Sequence, residues 1–426
     1  MGISSALYTG VSGLNTNSQA MTVIGNNLAN TNTIGFKSAR TVFSDLLSAS
    51  ISGSGGTSQV GRGVGMSIVD NIYSQGTFET TESGLDVAIE GSGFFMLKQP
   101  GDNTLYYSRA GAFRFDSNGY LVNPEGMRVQ GQAYDAAGNL TTGGPTDIYV
   151  SNAGLIQGRA TTALTLNTNL DSAEQKISSA ASFDPADSST YNYSSSTQVY
   201  DSLGNSHLLS TYFIKTDDNT WDWKWSTTDA NGDLMTGDGG PLYFTPEGAL
   251  TDMAGGTTPA TDPITGSIAA ADIDWKNSTT PTGITLTFNT TQFNSDSIVI
   301  SQDQDGYAAG ELTGINIDPD GAVVASYSNG ERIKVSNLLL ARFTNPNGLE
   351  ATGNNTYVAT TASGTPRTGL PGPELGKLFT NSLEMSNVDM GSEFVRMITT
   401  QRGFQANSKI ITTVDDMLTD LINLKR

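Results

Sequence analysis

The sequence predicts a mainly β protein with helical ends: a split β-domain, an inserted all-β domain, and N- and C-terminal helices that pair as a coiled-coil-like inner domain. Three observations predict this class. Apolar residues recur at helical spacing near both termini, more than 300 residues between them read as short strands and turns, and an acidic segment interrupts that β-rich region. The terminal periodicity indicates helices that pack against each other or against neighbouring copies.

The first helix is predicted within residues 1–30. Its apolar positions step by four and three residues, the spacing of a seam that packs along a partner helix. The seam residues expected to form an interface are Leu7, Val11, Leu14, Met21 and Leu28. The run from Asn26 to Gly35 is rich in Asn and Gly, which tolerate turn conformations and predict the end of the helix.

The second helix is predicted within residues 386–426. The segment 386–389 reads Ser-Asn-Val-Asp and fits a capping box, so we expect the helix to start there and to run nearly to Arg426. Isolated helices draw most of their stability from tertiary packing, so neither terminal helix is expected to be stable alone. Five residues recur at intervals of seven and four widen the stripe: Met390, Met397, Phe404, Ile411 and Leu418, with Phe394, Ile398, Leu421 and Ile422.

Composition limits the function. The chain has 426 residues, enough for two to four domains, and a charged fraction of 15%, below the usual value of about 25%. Its net charge of −20 argues against nucleic-acid binding, which needs clusters of Lys and Arg. No apolar run approaches a membrane span, and the start lacks the features of a cleaved signal peptide. The absence of cysteine excludes disulfides and thiolate chemistry.

Turn signals divide the central region. Residues 71–149 and 311–365 share short strands separated by Asn-Gly, Asp-Gly and Gly-x-Gly turns, and are predicted to form the two halves of one β-domain. Residues 31–70 and 366–385 are predicted to be a linker region, partly because the stretch 48–65 is rich in Gly and Ser.

Residues 150–310 are predicted to form an inserted, outward-facing all-β domain. Residues 160–310 contain 19 acidic residues against four lysines and no arginine, a local charge of −15. The run 221–225 alternates three tryptophans with polar residues and places three indoles on one strand face. Such a face either stacks sugars or forms the core of a sandwich or barrel.

Several motifs suggest chemistry and are not supported by their context. The glycine run 61–65 lacks the βαβ setting of a nucleotide-binding loop. A calcium loop around Asp303 and Asp305 would need a carboxylate where Leu312 stands. His207 has no adjacent nucleophile motif and no second histidine for zinc. We therefore expect no enzyme, cofactor or metal site.

Both ends and both halves of the β-domain resemble the flagellar rod and hook proteins of bacteria, and the similarity covers about 60% of the chain. Within that family, segments 301–312 and 382–389 resemble hook proteins in particular, and rod proteins generally lack a large insertion. The segments that carry the wider resemblance are 5–37, 85–95, 107–111 and 401–407.

The resemblance implies a structural subunit that polymerises into a flexible hollow tube and transmits motor torque as a universal joint. The alternatives are a distal rod component or, from composition, a secreted β-rich adhesin or calcium-binding surface protein. The implied partners are copies of the same chain, the distal rod, the hook cap, the hook-filament junction proteins, the hook-length control protein and the flagellar type III export apparatus. The resemblance also implies a location in the hook outside the cell, with no membrane insertion.

Overall fold

The computed structural model describes residues 2–46, 49–53, 56–135, 138–150, 154–177, 183–271, 273–277 and 279–423. The chain forms two compact units. Unit 1 comprises residues 1–152, 315–325 and 333–426, and unit 2 comprises residues 153–314 and 326–332. Unit 1 therefore contains both chain ends, and unit 2 is an insertion into it.

Two long helices lie at the ends of the chain, with strands between them. Helix α1 spans Gly2–Ala29 and helix α2 spans Met390–Asn423. The strands in the described residues are β1 Ala39–Asp45, β2 Ala49–Gly53, β3 Gly56–Val60, β4 Val64–Asn71, β5 Phe78–Thr80, β6 Val87–Glu90, β7 Phe94–Lys98, β8 Leu105–Ser108, β9 Arg114–Phe115, β10 Leu121–Val122, β11 Arg128–Ala133, β12 Thr146–Asp147, β13 Leu155–Ile156, β14 Ala163–Asp171, β15 Tyr193–Tyr200, β16 Ser206–Asp217, β17 Thr220–Thr228, β18 Leu234–Phe244, β19 Leu250–Thr251, β20 Ile264–Ile268, β21 Ile284–Phe288, β22 Thr291–Phe293, β23 Ile298–Gln304, β24 Gly310–Ile317, β25 Ala322–Tyr327, β26 Arg332–Leu338, β27 Leu340–Arg342, β28 Glu350–Gly353, β29 Thr356–Val358, β30 Arg367–Gly369, β31 Lys377–Thr380 and β32 Ser382–Glu384.

The β part of unit 1 is assembled from two distant stretches of sequence. Strand β11 pairs with β26 on one side and with β7 on the other, and β8 pairs with β29. The β11–β26 and β8–β29 pairs join residues more than 200 positions apart, such as Gly131 and Leu338. Alternate residues of the strands point inward to a core that includes Val87, Phe95 and Val323.

Unit 2 contains two sheets that share one core. Strands β15 to β19 form an antiparallel sheet in sequence order, and a second sheet has the order β20-β21-β14-β22, with β23 paired to β14. The tryptophans at 221, 223 and 225 are buried in the core between the sheets. The indole nitrogen of Trp221 donates to Gln292 Oε1 at 2.9 Å, which links β17 to β22. The three indoles thus form a core, and the sugar-stacking alternative is wrong.

The predicted fold class is confirmed: the chain is mainly β, with a split β-domain, an inserted all-β unit and paired terminal helices. The expectation for the segments around the β-domain was wrong. Strands β1 and β4 pair with each other, β31 pairs with β6, and β32 pairs with β5, so much of the expected linker is folded. Their β-branched and aromatic residues outweigh the Gly and Ser content that favoured a linker.

The start of the second helix also differs from the prediction. The N-cap is Asp389, whose Oδ1 accepts from the backbone N–H of Ser392 at 3.1 Å, and not Ser386. The hydroxyl of Ser386 accepts from Val388 N at 3.3 Å instead. The preceding residues form β32 and its continuation, and cannot join the helix.

Candidate assembly interface

The two terminal helices pack against each other through residues with small side chains. A Cβ added to Gly13 would lie 2.6 Å from Asn407 Nδ2, and one added to Gly10 would lie 3.0 Å from Ile411 Cγ1. On the other helix, a Cβ on Gly403 would lie 3.0 Å from Asn17 Oδ1. The helices approach this closely because these three positions lack a side chain.

The buried face of α1 forms a regular seam, which we call the inner seam. Four of its six positions lie one residue before residues of the predicted seam, and one residue corresponds to a rotation of about 100° around the helix. The packing face of α1 is therefore not the one that apolar periodicity selects. The inner seam consists of Gly10, Gly13, Asn17, Ala20, Ile24 and Asn27.

Polar residues of this contact are largely satisfied within their own helix. Asn17 Nδ2 donates to the carbonyl of Gly13 at 2.7 Å, and Asn407 Nδ2 donates to the carbonyl of Gly403 at 3.0 Å. The buried hydroxyl of Thr16 bonds to the carbonyl of Ser12 at 3.0 Å. These bonds do not cross between α1 and α2. The middle of this helix pair, which we call the hairpin, is therefore held by complementary shape and by van der Waals contact.

The predicted seam of α1 is only partly covered in the hairpin. Leu7, Leu14, Met21 and Leu28 are half-buried, and Val11 is 47% exposed. The outward side of α1 is also free of charge, because the first charged residue after the chain start is Lys37. The structure thus leaves a neutral, partly apolar face on α1.

The predicted stripe of α2 is divided between the hairpin contact and solvent. Ile411 lies against Gly10, and Met397 and Leu418 are half-buried. The side chain of Leu421, another member of the stripe, lies outside the described part of the structure. The exposed members of the stripe are Met390 at 55%, Phe394 at 48%, Ile398 at 47%, Phe404 at 42% and Ile422 at 66%.

An apolar groove runs between the helices near the free end of the hairpin. Val414 is buried at its floor, and Ala6 contributes from α1. Large exposed apolar groups at a groove mark contact surfaces, because soluble monomers rarely leave them in water. The remaining lining residues are Ala406, Lys409, Ile410, Thr413 and Met417.

On α1, sequence reasoning selected the larger apolar residues beside the inner seam and missed the inner seam itself. Glycine and alanine carry little hydrophobic signal, so a search for apolar periodicity passes over them. Recurrence of small residues at spacings of three and four inside a long helix was the signal available, because glycine in a helix interior costs about 1 kcal/mol and needs a reason to be there.

The motifs that suggested ion binding have structural roles. Asp305 Oδ1 accepts from the backbone N–H groups of Thr162 and Ala163 at 2.8 and 2.9 Å, and Asp303 lies within strand β23. Across the described ranges, no group of three or more His, Asp or Glu side chains is arranged to hold a metal. None of the helices placed in the structure is long and apolar enough to cross a membrane.

Family models match both ends of the chain and two regions between them. The ends match "Flagella basal body rod protein" over residues 7–37 and "Flagellar basal body rod FlgEFG protein C-terminal" over residues 380–424. The regions between them match "Flagellar hook protein FlgE/F/G D1 domain" over 88–170 and "Flagellar basal body protein FlaE D2 domain" over 169–307. These matches define the class, which is the axial proteins of the bacterial flagellum.

Full-length relatives define the family within that class. The chain is 39% identical to the flagellar hook protein FlgE of Borreliella burgdorferi, with 99% of each chain covered. It is 36% identical to the hook protein FlgE of Salmonella typhimurium, over 97% of this chain and 98% of the relative. The chain belongs to the flagellar hook protein family, and is a structural subunit of the flagellum that serves motility. A distal rod component and a secreted adhesin are not favoured by these relatives.

A solved structure shares the fold. The crystal structure of Helicobacter pylori flagellar hook protein FlgE2 aligns with a TM-score of 0.50 at 17% identity, and covers 73% of this chain and 99% of that chain.

Proposed function

We propose that this subunit polymerises into the hook tube through the outward faces of its terminal helices. The observation that carries the proposal is the division of the hairpin into a small-residue inner seam and an outward apolar stripe. A chain that needed only an intramolecular hairpin would bury Phe394 and Phe404, and here they are 48% and 42% exposed. Covering such side chains favours association by about 25 cal/mol per Å² of apolar surface.

The proposed interface comprises the residues that the sequence selected. On α1 it includes Leu7, Val11, Leu14, Met21 and Leu28, and on α2 the exposed stripe and the half-buried residues beside it. A heterologous contact between different faces of the same chain does not close on itself and generates a helical polymer. In this arrangement residues 1–30 and 386–426 form the inner domain of the tube, 71–149 with 311–365 the middle shell, and 150–310 the outer shell.

The family suggests the remaining partners and the route of export. We propose contacts with the distal rod at one end of the tube, with the hook cap during growth, and with the hook-filament junction proteins at the other end. We also propose a hook-length control protein and the flagellar type III export apparatus as partners. The subunit would leave the cell without a cleaved signal peptide and would act as a non-catalytic universal joint.

A charge placed on the stripe tests this proposal. Phe404→Asp puts a carboxylate into the interface, where burial of an unpaired charge costs several kcal/mol per contact. We expect export to persist, β-structure of the secreted monomer to be unchanged, and hook assembly and motility to be lost.

The matched control is Thr412→Asp, an exposed position of the same helix that does not line the groove. Lys409, which sequence reasoning would choose as the control because it is off the stripe, lines the groove and is unsuitable. Equal loss of assembly in both variants, or normal hooks from Phe404→Asp, would refute the interface.

A further inference from the structure

The two sheets of unit 2 differ in how far along the chain their strands find partners. Strands β15 to β19 pair in sequence order, and the connections between them are short. Tyr200 of β15 pairs with Ser206 of β16, and Thr228 of β17 pairs with Leu234 of β18. This antiparallel sheet, which we call the β15–β19 sheet, is therefore built from contacts that are local in sequence.

Three of these connections are five-residue turns of one design, with glycine at the fourth position. In one of them, Asp229 N donates to the Asp233 carbonyl at 3.0 Å, and Gly232 N donates to the Asp229 carbonyl at 3.1 Å. Asp229 Oδ1 also accepts from Asn231 N and Asp233 N, both at 2.9 Å. Each turn closes through its own residues, without a distant segment. The two backbone bonds occur in the turns 201–205, 229–233 and 245–249.

The second sheet is arranged around one strand whose partners are distant in sequence. This strand is β14, Ala163–Asp171, which we call the closing strand. It pairs in parallel with β21 and β22 along one edge and antiparallel with β23 along the other. All three partners lie more than 100 residues further along the chain, as the pair Ala163 and Thr285 shows. Parallel strands need a crossover connection, and here that connection contains the whole β15–β19 sheet.

The closing strand supplies part of the core of unit 2. Its residues Leu164, Leu166 and Leu170 are at most 1% exposed and belong to the core that contains the tryptophans. The buried hydroxyl of Thr168 lies 2.8 Å from the hydroxyl of Thr290. Removing the closing strand would therefore open the core on the side that faces the β15–β19 sheet.

Polar contacts of the closing strand are also long-range. Asn169 Oδ1 accepts from Phe293 N at 3.1 Å and from the Thr291 hydroxyl at 3.2 Å, and Asn169 Nδ2 donates to the Ser295 carbonyl at 3.1 Å. Strand β23 pairs with no other strand in the described part of the chain. The second sheet is thus incomplete until the closing strand is in place.

The two kinds of pairing differ in the entropy that folding must overcome. A five-residue turn closes a short loop, whereas pairing of β14 with β23 closes a loop of more than 100 residues, and the entropic cost of closure rises with loop length. Hairpins form within about 10 μs, whereas sheets dominated by distant pairs fold in milliseconds to seconds. The β15–β19 sheet is therefore able to form while the closing strand is still unpaired.

We infer that unit 2 folds in a fixed order: the β15–β19 sheet forms first, and the closing strand then inserts between β23 and the edge that β21 and β22 provide. Insertion completes the core and needs all residues from 163 to 304 at once. It has a consequence for export that rests on the proposed function. A chain threaded through a channel closes unit 2 only after this whole stretch has left the channel, whichever end leaves first.

Refolding of the full-length monomer from urea tests this order. Pulsed hydrogen exchange, read by mass spectrometry of peptides, records when the amides of each strand become protected. We expect the amides of β16 to β18 to be protected at least about tenfold sooner than those of β14 and β23. All four tryptophans lie within residues 221–275, so their fluorescence follows unit 2 alone in the same samples.

Two variants separate the turns from the closing strand. Gly232 has φ +89°, and a Cβ there would meet no atom within 4 Å, so Gly232→Ala strains the turn and disturbs no distant contact. It should slow protection of both groups of strands by about fivefold or more, because insertion needs the β15–β19 sheet. Leu166→Ala should leave the protection of β16 to β18 unchanged and accelerate unfolding of unit 2 by about tenfold or more, because it leaves a cavity in the closed core.

The matched control is Gly126→Ala in the split β-domain. Gly126 occupies the same place in a turn of the same design, with φ +82° and open space around it, so its replacement should leave every strand of unit 2 unchanged. Thr168→Val, which removes one buried hydroxyl, replaces Leu166→Ala if that variant does not fold.

Protection of β14 together with or before β16 to β18 would overturn the inference, and so would slower protection of β16 to β18 in the closing-strand variant. The measurement uses the monomer, so a failure to polymerise would leave it unaffected. A different folding order would likewise leave the proposed assembly interface standing, and the two proposals fail separately.

Discussion

The terminal hairpin and unit 2 differ in where their apolar side chains lie. In unit 2 the large side chains are inside: Trp221, Trp223 and Trp225 are at most 2% exposed. In the hairpin the inner seam contains glycine and alanine, while phenylalanine and methionine face outward. A region that buries its aromatics is complete as a folded unit, whereas one that exposes them along a helix needs a partner.

Surface charge also differs between unit 2 and the terminal hairpin. Residues 160–310 have a local charge of −15, and α1 has no charged residue. A highly charged surface disfavours association and keeps a protein soluble, whereas a neutral helix can be covered without desolvating ions. The comparison therefore supports the proposal that the ends of the chain carry assembly and that the insertion contacts solvent. Four measurements test this difference between the two regions.

The largest effect is expected from the core of unit 2. Trp223 packs against the backbone of Gly239 and Gly266 and lies 5.1 Å from the Phe288 ring centre, so Trp223→Ala should destabilise unit 2 by about 3–5 kcal/mol. Guanidinium unfolding followed by fluorescence measures this loss. Leu234→Ala, at a position 55% exposed, should change stability by less than about 0.5 kcal/mol. If Trp223→Ala also removed the helical circular dichroism of the ends, the two regions would not be independent.

A side chain on the inner seam should disrupt the hairpin and spare unit 2. Gly13→Leu forces a bulky group against Asn407, and overpacking of this kind costs about 1–3 kcal/mol. Amides of α1 should then exchange faster with deuterium, while those of β16 and β17 should not change. Unaltered protection of α1 would show that the helices are not held by close packing at the glycines.

Acid should weaken unit 2 through Asp201. Burial would raise the pKa of this carboxyl, but hydrogen bonds from Asn205, His207 and Asn277 outweigh burial and lower it to about 2. Because the pKa is lower in the folded state, the carboxylate stabilises unit 2 above its ordinary pKa of 3.8, and this contribution is lost as the pH falls towards 2.

The contribution amounts to about 2 kcal/mol at neutral pH. Melting of the natural chain and of Asp201→Asn between pH 6 and pH 2 measures it, and the difference between the two proteins should shrink in acid. A constant difference over this range would contradict the role of the ionised carboxylate.

The smallest effect is expected at a glycine outside the inner seam. Gly25 is exposed in α1, and a Cβ there would meet no atom within 4 Å. Gly25→Ala should therefore stabilise α1 by about 0.5–1 kcal/mol through helix propensity alone. Hydrogen exchange of α1 gives the magnitude. A destabilised helix would mean that Gly25 is also part of a packed surface in the single chain.

Much of the fold could be predicted from local patterns. Period-seven recurrence located both helices to within a few residues, and alternation at 221–225 placed three indoles on one strand face. Turn residues marked the hairpins of the split domain. These features depend on residues near each other in sequence, where spacing alone determines which side chains share a face.

The helix start and the linker segments could not be predicted in this way. Whether Ser386 or Asp389 caps α2 depends on β32, which pairs with β5 about 300 residues earlier. The strands β1 and β4 depend on each other and on their packing along α1. Long-range pairing of this kind has no local signature, because the partner strand supplies the hydrogen bonds.

By itself the sequence determined the class of structure and the extent of the terminal helices, because both follow from the spacing and the size of apolar side chains. Only the tertiary structure decided which face of α1 lies against α2, because five of the six inner-seam residues are glycine, alanine or asparagine, which carry little hydrophobic signal and allow close approach. Only the tertiary structure brought Lys37, Arg109 and Glu384 together, because charges distant in sequence reveal their pairing when the fold has buried them.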